Sequence, residues 1–182
     1  MKKVVHQIIW VMVLCSCLAG CASVQNQSLK MAADDNVQLG LYYLQQKDTI
    51  HAREKLLMAM EETPHWSVAE DAMAYFDEVT GDNKNAEKYY LDALKSSSND
   101  GAALNNYGVF LCRQHRIKKA EQMFLKAIEN PQYLNIGQAY ENLALCELSV
   151  SNKEKAREYF KKALEQEPGR QVSQQELKKL NE

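Results

Sequence analysis

Apolar and polar positions along this chain follow one long rhythm. Small residues stand at Ala52, Ala86 and Ala120, spaced 34 and 34, with Ala156 following at 36. Seven residues after each comes a second alanine, at Ala59, Ala93, Ala127 and Ala163, and four after each comes a bulky residue, at Leu56, Tyr90, Phe124 and Phe160. Offsets of four and seven put all three side chains on one face of an α-helix. Twelve residues before each first alanine stands another large-small pair: Leu39-Gly40, Met73-Ala74, Tyr107-Gly108 and Leu143-Ala144. The pattern therefore predicts four pairs of helices. In each pair small residues let the two backbones approach, and one bulky residue fills the space beside them.

A helix-turn-helix unit repeated at about 34 residues is the signature of the tetratricopeptide repeat, TPR. Pro64 and Pro168 fall where such a unit ends its second helix, since proline cannot continue a helix interior. The expected architecture is an all-α TPR solenoid of four repeats, 33–66, 67–100, 101–136 and 137–170, with a short C-terminal cap over 171–182. The second repeat has Ser98 where the proline is usual, and the third is longer by two residues around Pro131–Ile136. In the cap, Ser173 to Glu176 reads as a capping-box start, followed by Leu177 and Leu180 on a charged helix. That helix is expected to cover the apolar side of the last repeat.

The first residues break this rhythm. Met1-Lys2-Lys3 precedes an apolar run from Val4 to Leu14, and then Leu18-Ala19-Gly20-Cys21. A basic start, a short apolar run and small residues before a cut describe a secretory signal. The apolar run is too short for a membrane span, which needs ~20 residues. Leu18-Ala19-Gly20-Cys21 resembles the bacterial lipobox, which implies removal of residues 1–20 and lipid attachment at Cys21. Two or more acyl chains give lasting membrane attachment where one does not. Ala22 and Ser23 follow the cysteine in place of the aspartate associated with inner-membrane retention, so the resemblance points to the outer membrane, facing the periplasm. Residues 21–32 are expected to be a lipidated cysteine and a flexible tether.

Loss of Lys2 and Lys3 with the signal takes the formal net charge from −2 to −4. That balance gives no basic face for nucleic acid. Of the five cysteines, Cys15 and Cys17 leave with the signal and Cys21 is taken by lipid, so Cys112 and Cys146 remain. Both lie on first helices of adjacent repeats. They are either a disulfide, which an oxidising compartment favours, or two buried thiols packing as small apolar groups. The spacing leaves both open.

No set of residues converges on chemistry. His51, His65 and His115 fall near turns of different repeats with no ligand-spaced partner, so no metal, cofactor or catalytic group is expected. The informative surface is the wall formed by first helices, at repeat positions 2, 5, 6, 9, 12 and 13. Val37, Leu41, Leu44 and Tyr75 give it an apolar stretch, and Asn105, Asn106 and Asn142 an amide-rich one. Lys and Arg, which adaptors gripping acidic C-terminal peptides place at positions 2, 5 and 6, are missing there. An apolar groove beside amides suits an amphipathic or extended peptide.

Several stretches are more specific than the repeat itself: Asn105-Asn106-Tyr107-Gly108-Val109-Phe110-Leu111-Cys112, and Ala139-Tyr140-Glu141-Asn142-Leu143-Ala144-Leu145-Cys146, with Ala120-Glu121, Phe124, Ala127-Ile128, Pro131 and Tyr133 between them. With the lipobox, they resemble the type IV pilus biogenesis and stability lipoproteins, the PilF/PilW family. The resemblance implies an outer-membrane pilotin, a non-enzymatic scaffold that escorts the pilus secretin and supports assembly of its multimer. It also implies dealings with the lipoprotein processing and sorting machinery. A general periplasmic TPR adaptor, or a regulator of an envelope enzyme, is the alternative from the residues alone.

Overall fold

A computed structural model describes residues 26–181. Among them there are helices and turns and no strand. The order is α1 (26–45), α2 (Thr49–Glu62), α3 (Ser67–Thr80), α4 (Asn83–Ser96), α5 (Gly101–Arg113), α6 (Ile117–Glu129), α7 (Ile136–Ser149), α8 (Lys153–Gln166) and α9 (Gln171–Asn181). The chain divides into two compact units, one ending at Pro64 and the other beginning at His65.

The first unit is the α1–α2 hairpin. Ala33, Val37, Gly40 and Leu44 form one buried stripe of α1, at helical spacing, and Ala52, Leu56 and Ala59 are the buried residues of α2. Gly40 is where the helices touch: a Cβ there would stand 2.7 Å from Leu56 Cγ and 3.2 Å from the Ala52 carbonyl oxygen. Asp48 caps α2 by accepting from the His51 N–H at 3.2 Å, while its other oxygen meets His51 Nδ1 at 2.7 Å. Asn36 Nδ2 donates to Glu62 Oε2 at 3.0 Å, pinning the open end of the hairpin. One expectation changes here. Helix α1 is already formed at the first described residue, 26, so the part of the tether from 26 to 32 is helical. Its polar composition fits an exposed first turn as well as it fits a linker.

The second unit, α3 to α9, is built on a continuous core. Tyr90, Tyr107, Phe110, Leu111, Phe124, Leu143, Tyr159 and Phe160 pack with the repeat alanines Ala74, Ala86, Ala120, Ala144 and Ala156. Gly108 repeats the role of Gly40, since a Cβ there would lie 2.8 Å from Phe124 Cε1. The longer turn after α6 is filled from within. Tyr133 is buried with Leu104, Ala127 and Ala139, and Asn130 Nδ2 donates to the Asn99 carbonyl at 2.6 Å.

All four turns within the helix pairs use one backbone device. A left-handed residue stands at Lys47, Gly81, His115 and Ser151, with φ of 62°, 90°, 56° and 62°. Only one of these is glycine, the residue that adopts the conformation without steric cost.

At the C-terminus, α9 begins at Gln171, so Ser173 lies inside the helix and is fully buried. The expected capping box is therefore not what starts this helix. Its partner is a side chain from α7: Glu141 Oε2 accepts from the Ser173 N–H at 3.1 Å and from Ser173 Oγ at 2.6 Å. A carboxylate at a helix N-terminus satisfies free amides and opposes the helix dipole. Arg170 Nη2 donates to the other Glu141 oxygen at 2.8 Å, and Leu177 and Leu180 pack on the core.

Candidate partner-binding surface

Equivalent repeat positions generate two parallel rows on the second unit. Position 9 supplies Tyr75 from α3, Val109 from α5 and Leu145 from α7. Tyr75 is 42% and Leu145 39% exposed, and Val109 is half-buried. Positions 5 and 6 supply the polar row beside it, Asp71, Asn105, Asn106, Glu141 and Asn142.

The polar row is tied together from helix to helix. Asn142 Nδ2 donates to Asn105 Oδ1 at 3.0 Å, Asn105 Nδ2 to Asn106 Oδ1 at 3.2 Å, and Asn106 Nδ2 to Asp71 Oδ2 at 2.7 Å. Every amide in this chain donates in the same direction, from α7 through α5 to a carboxylate on α3. Such chains polarise one another and fix side-chain orientation. Asn105 is buried within the chain, whereas Asn106 and Asn142 are half-buried and keep hydrogen-bonding capacity. The amides are thus first a seam between repeats, and only two of them also face outward.

Asp71, on which the amides end, is only partly satisfied. Its Oδ1 is enclosed and has no hydrogen-bond partner. Burial pushes its carboxyl up to about 7, with the Asn106 bond opposing and the Asp100 charge adding to the rise. Glu141 goes the other way: burial pushes it up, but the bonds from Arg170 and Ser173 outweigh this and hold it below its ordinary value. A second bridge joins α3 and α5 where Arg113 Nη1 donates to Glu78 Oε1 at 2.9 Å. Glu78 Oε2 accepts from Tyr90 OH at 3.0 Å, and burial with the Glu78 charge raises the Tyr90 phenol.

Cys112 and Cys146 are joined by a disulfide, with Cα atoms 5.7 Å apart, so the first helices of the third and fourth repeats are covalently tied beside the two rows. The bridge resolves the alternative that spacing left open.

The residues expected to line the groove therefore separate. Tyr75 is exposed, Leu41 is half-buried, and Asn106 and Asn142 face the surface in part. Val37 and Leu44 do not: they are 2% and 6% exposed. They share the α1 face that carries Gly40, which is closed against Leu56, and assigning them to an open wall by repeat position was incorrect. Cys21 lies outside the described residues. What repeat positions did not reveal was the enclosed oxygen of Asp71 and the role of Glu141. A carboxylate at position 5 in each of two repeats was the available signal.

The repeat model of the tetratricopeptide family matches residues 99–166. The chain is 36% identical over 154 residues to the type IV pilus assembly protein PilF of Pseudomonas aeruginosa, covering 81% of this chain and 61% of that protein. It thus spans about three fifths of that relative's length. The solved structure of Pseudomonas aeruginosa PilF superposes with a TM-score of 0.77 at 34% identity, covering 84% of this chain and 69% of that one. The crystal structure of PilW, described as a widely conserved type IV pilus biogenesis factor, gives a TM-score of 0.74 at 25% identity, over 82% and 68% of the two chains. Sequence and fold together place this chain in the PilF/PilW family of tetratricopeptide-repeat type IV pilus biogenesis proteins.

Proposed function

We propose that this chain is an outer-membrane lipoprotein that acts as a pilotin, holding the type IV pilus secretin so that it reaches the outer membrane and assembles there. Lipid on Cys21 supplies the anchor, and the lipoprotein sorting machinery carries chain and cargo together. Catalysis has no part in this reading. The observation that supports it most is the row of apolar residues at position 9, Tyr75, Val109 and Leu145, beside a polar row that its own hydrogen bonds hold rigid. A preorganised wall loses little entropy on binding, so burial of the apolar row converts more fully into affinity. An anchor and a groove on one chain also raise the effective concentration of groove and cargo at the membrane.

Each apolar side chain fully covered by a partner contributes roughly 1.5–3 kcal/mol. Replacing Tyr75 and Leu145 together with Glu should therefore weaken secretin capture by two orders of magnitude or more, with helicity retained by circular dichroism. Secretin multimers should then be lost from the outer-membrane fraction, and pili with them. Multimers that still assemble around a folded double variant would sink the proposed wall. Cys21→Ala tests the anchor separately, because the variant should leave the membrane fraction while still binding secretin in extracts.

A further inference from the structure

We propose that the outward face of α1 rests on the lipid bilayer itself. The inference rests on the lipid reading of Cys21 and adds a second point of membrane contact to it.

The face is defined by spacing and exposure. Met31, Leu39 and Tyr42 lie along one side of α1, at offsets of eight and eleven, and are 65%, 43% and 55% exposed. They point away from the stripe through Gly40 that closes on Leu56, so the hairpin's own packing leaves them uncovered. A repeat stack normally carries polar faces at its ends. The cap helix α9 follows this rule for most of its length, with Glu176, Lys178 and Lys179 and a single exposed large apolar residue, Val172. The first hairpin presents apolar groups instead.

The length of chain before α1 selects the occupant. Helix α1 is continuous from residue 26, so at most four residues separate it from Cys21. A peptide reaches at most ~3.3–3.6 Å per residue. However residues 22–25 are arranged, the start of α1 stays within about 18 Å of an anchored cysteine. Met31 follows after little more than one helical turn, and the stripe from Met31 to Tyr42 is about 16 Å long at 1.5 Å per residue. The surface guaranteed to be within reach of this stripe is the bilayer.

Asp35 sets the depth. It lies on the same stripe, four residues from both Met31 and Leu39, and is exposed. A carboxylate can lie among the ammonium groups of phosphatidylethanolamine but not among acyl chains. The contact is therefore shallow, at the headgroup boundary, where a tyrosine such as Tyr42 is at home. No helix among the described residues is long and apolar enough to cross a membrane, so α1 lies on the surface.

The test uses the full chain, processed in bacteria and reconstituted into vesicles of phosphatidylethanolamine with a minority of phosphatidylglycerol. Trp66→Phe removes the tryptophan of the described chain, and Tyr42→Trp or Lys178→Trp then places one probe on α1 or on the cap helix. Lipids brominated near the headgroup should quench the probe at 42 about twofold, with the probe at 178 measuring the quenching that does not depend on α1. Met31→Glu with Leu39→Glu should abolish the quenching while the chain still floats with the vesicles. A chain that floats with the probe at 42 unquenched overturns the proposal and leaves the anchor standing. A chain that does not float overturns both. A photo-crosslinker at position 42 that captures a protein in cells in place of lipid also overturns it.

Discussion

The first hairpin and the stretch from α3 to α9 are built from the same repeat but secured by different means. Among the described residues, seven of the fifteen exposed large apolar side chains fall on the first hairpin, although it has 39 of the 156 residues. The later repeats have a continuous aromatic core, an amide chain across three helices, a disulfide and a capped terminal helix. The hairpin relies on Gly40 against Leu56, a few buried alanines and the Asn36–Glu62 bond. In a repeat protein, stability is close to a sum of local terms. The contrast therefore predicts that α1 and α2 open at lower free energy than α5 to α8, a difference that native-state hydrogen exchange reads directly.

The largest effect should come from Gly108→Leu. A Cβ at this position already meets Phe124 at 2.8 Å, and Phe124 is fully buried, so the ring has nowhere to go. Overpacking by extra methylenes costs about 1–3 kcal/mol and occasionally more, and the whole leucine side chain added here presses on a ring that cannot move, which puts the loss beyond that range, at ~4 kcal/mol or above. The later repeats should lose most of their exchange protection, and an unchanged melting temperature would show that their core is looser than its contacts imply.

Next in size is the disulfide. Cys112→Ser with Cys146→Ser should remove about 3–4 kcal/mol, the closure entropy of a loop of this length. Exchange should quicken in α5 and α7, with α1 and α2 much less affected. If the reduced pair proves as stable as the bridged form, the later repeats do not owe their rigidity to this link.

How much of this was legible follows from what each feature depends on. The fold was legible because Ala120, Phe124 and Ala127 obey a local period, and all three are fully buried. Gly108 was legible for the same reason. Val37 and Leu44 were misplaced because a position number fixes the side of a helix only to within a sector, and closure at Gly40 draws both neighbours inward. The amide chain was not legible, since asparagines 37 residues apart reveal a bond only once α5 and α7 are side by side. Ser173 was read as a cap because its sequence fits one, whereas the capping carboxylate comes from Glu141, 32 residues earlier. The left-handed turns at Lys47, His115 and Ser151 lacked the glycine that would have announced them.

A smaller effect should separate α9 from the rest of its unit. Glu141→Gln keeps the shape but weakens charge-assisted bonds to Ser173 and Arg170, each worth about 1.5–3 kcal/mol before compensation. Because the folded Glu141 lies below its ordinary value, its contribution is present above the unfolded pKa and is lost as pH falls through the folded one. Wild type and variant should thus converge in acid. Amide exchange confined to α9 should rise in the variant near neutral pH, and uniform destabilisation of α3 to α8 would instead make Glu141 a core residue.

The smallest effect has the opposite sign and comes from the same row of carboxylates. Asp71 is raised to about 7 in the folded chain, by burial above all, so folding takes up a proton when the ordinary carboxylate would be ionised. Its cost is absent below the unfolded value of 3.8, grows as pH rises through the interval up to about 7, and is constant beyond. Asp71→Asn removes the charge and keeps a side-chain oxygen for Asn106 Nδ2. The enclosed Oδ1 position then holds an amide without charge, which costs less to bury than a carboxylate. The variant should therefore melt a few degrees higher than wild type at pH ~8, and the advantage should vanish below pH ~4. Because the amide chain from α7 ends on this residue, the gain should appear as slower exchange in α3 and α5. A melting advantage that is the same at both pH values would mean that Asp71 is not titrating, and that its enclosed oxygen is satisfied in solution.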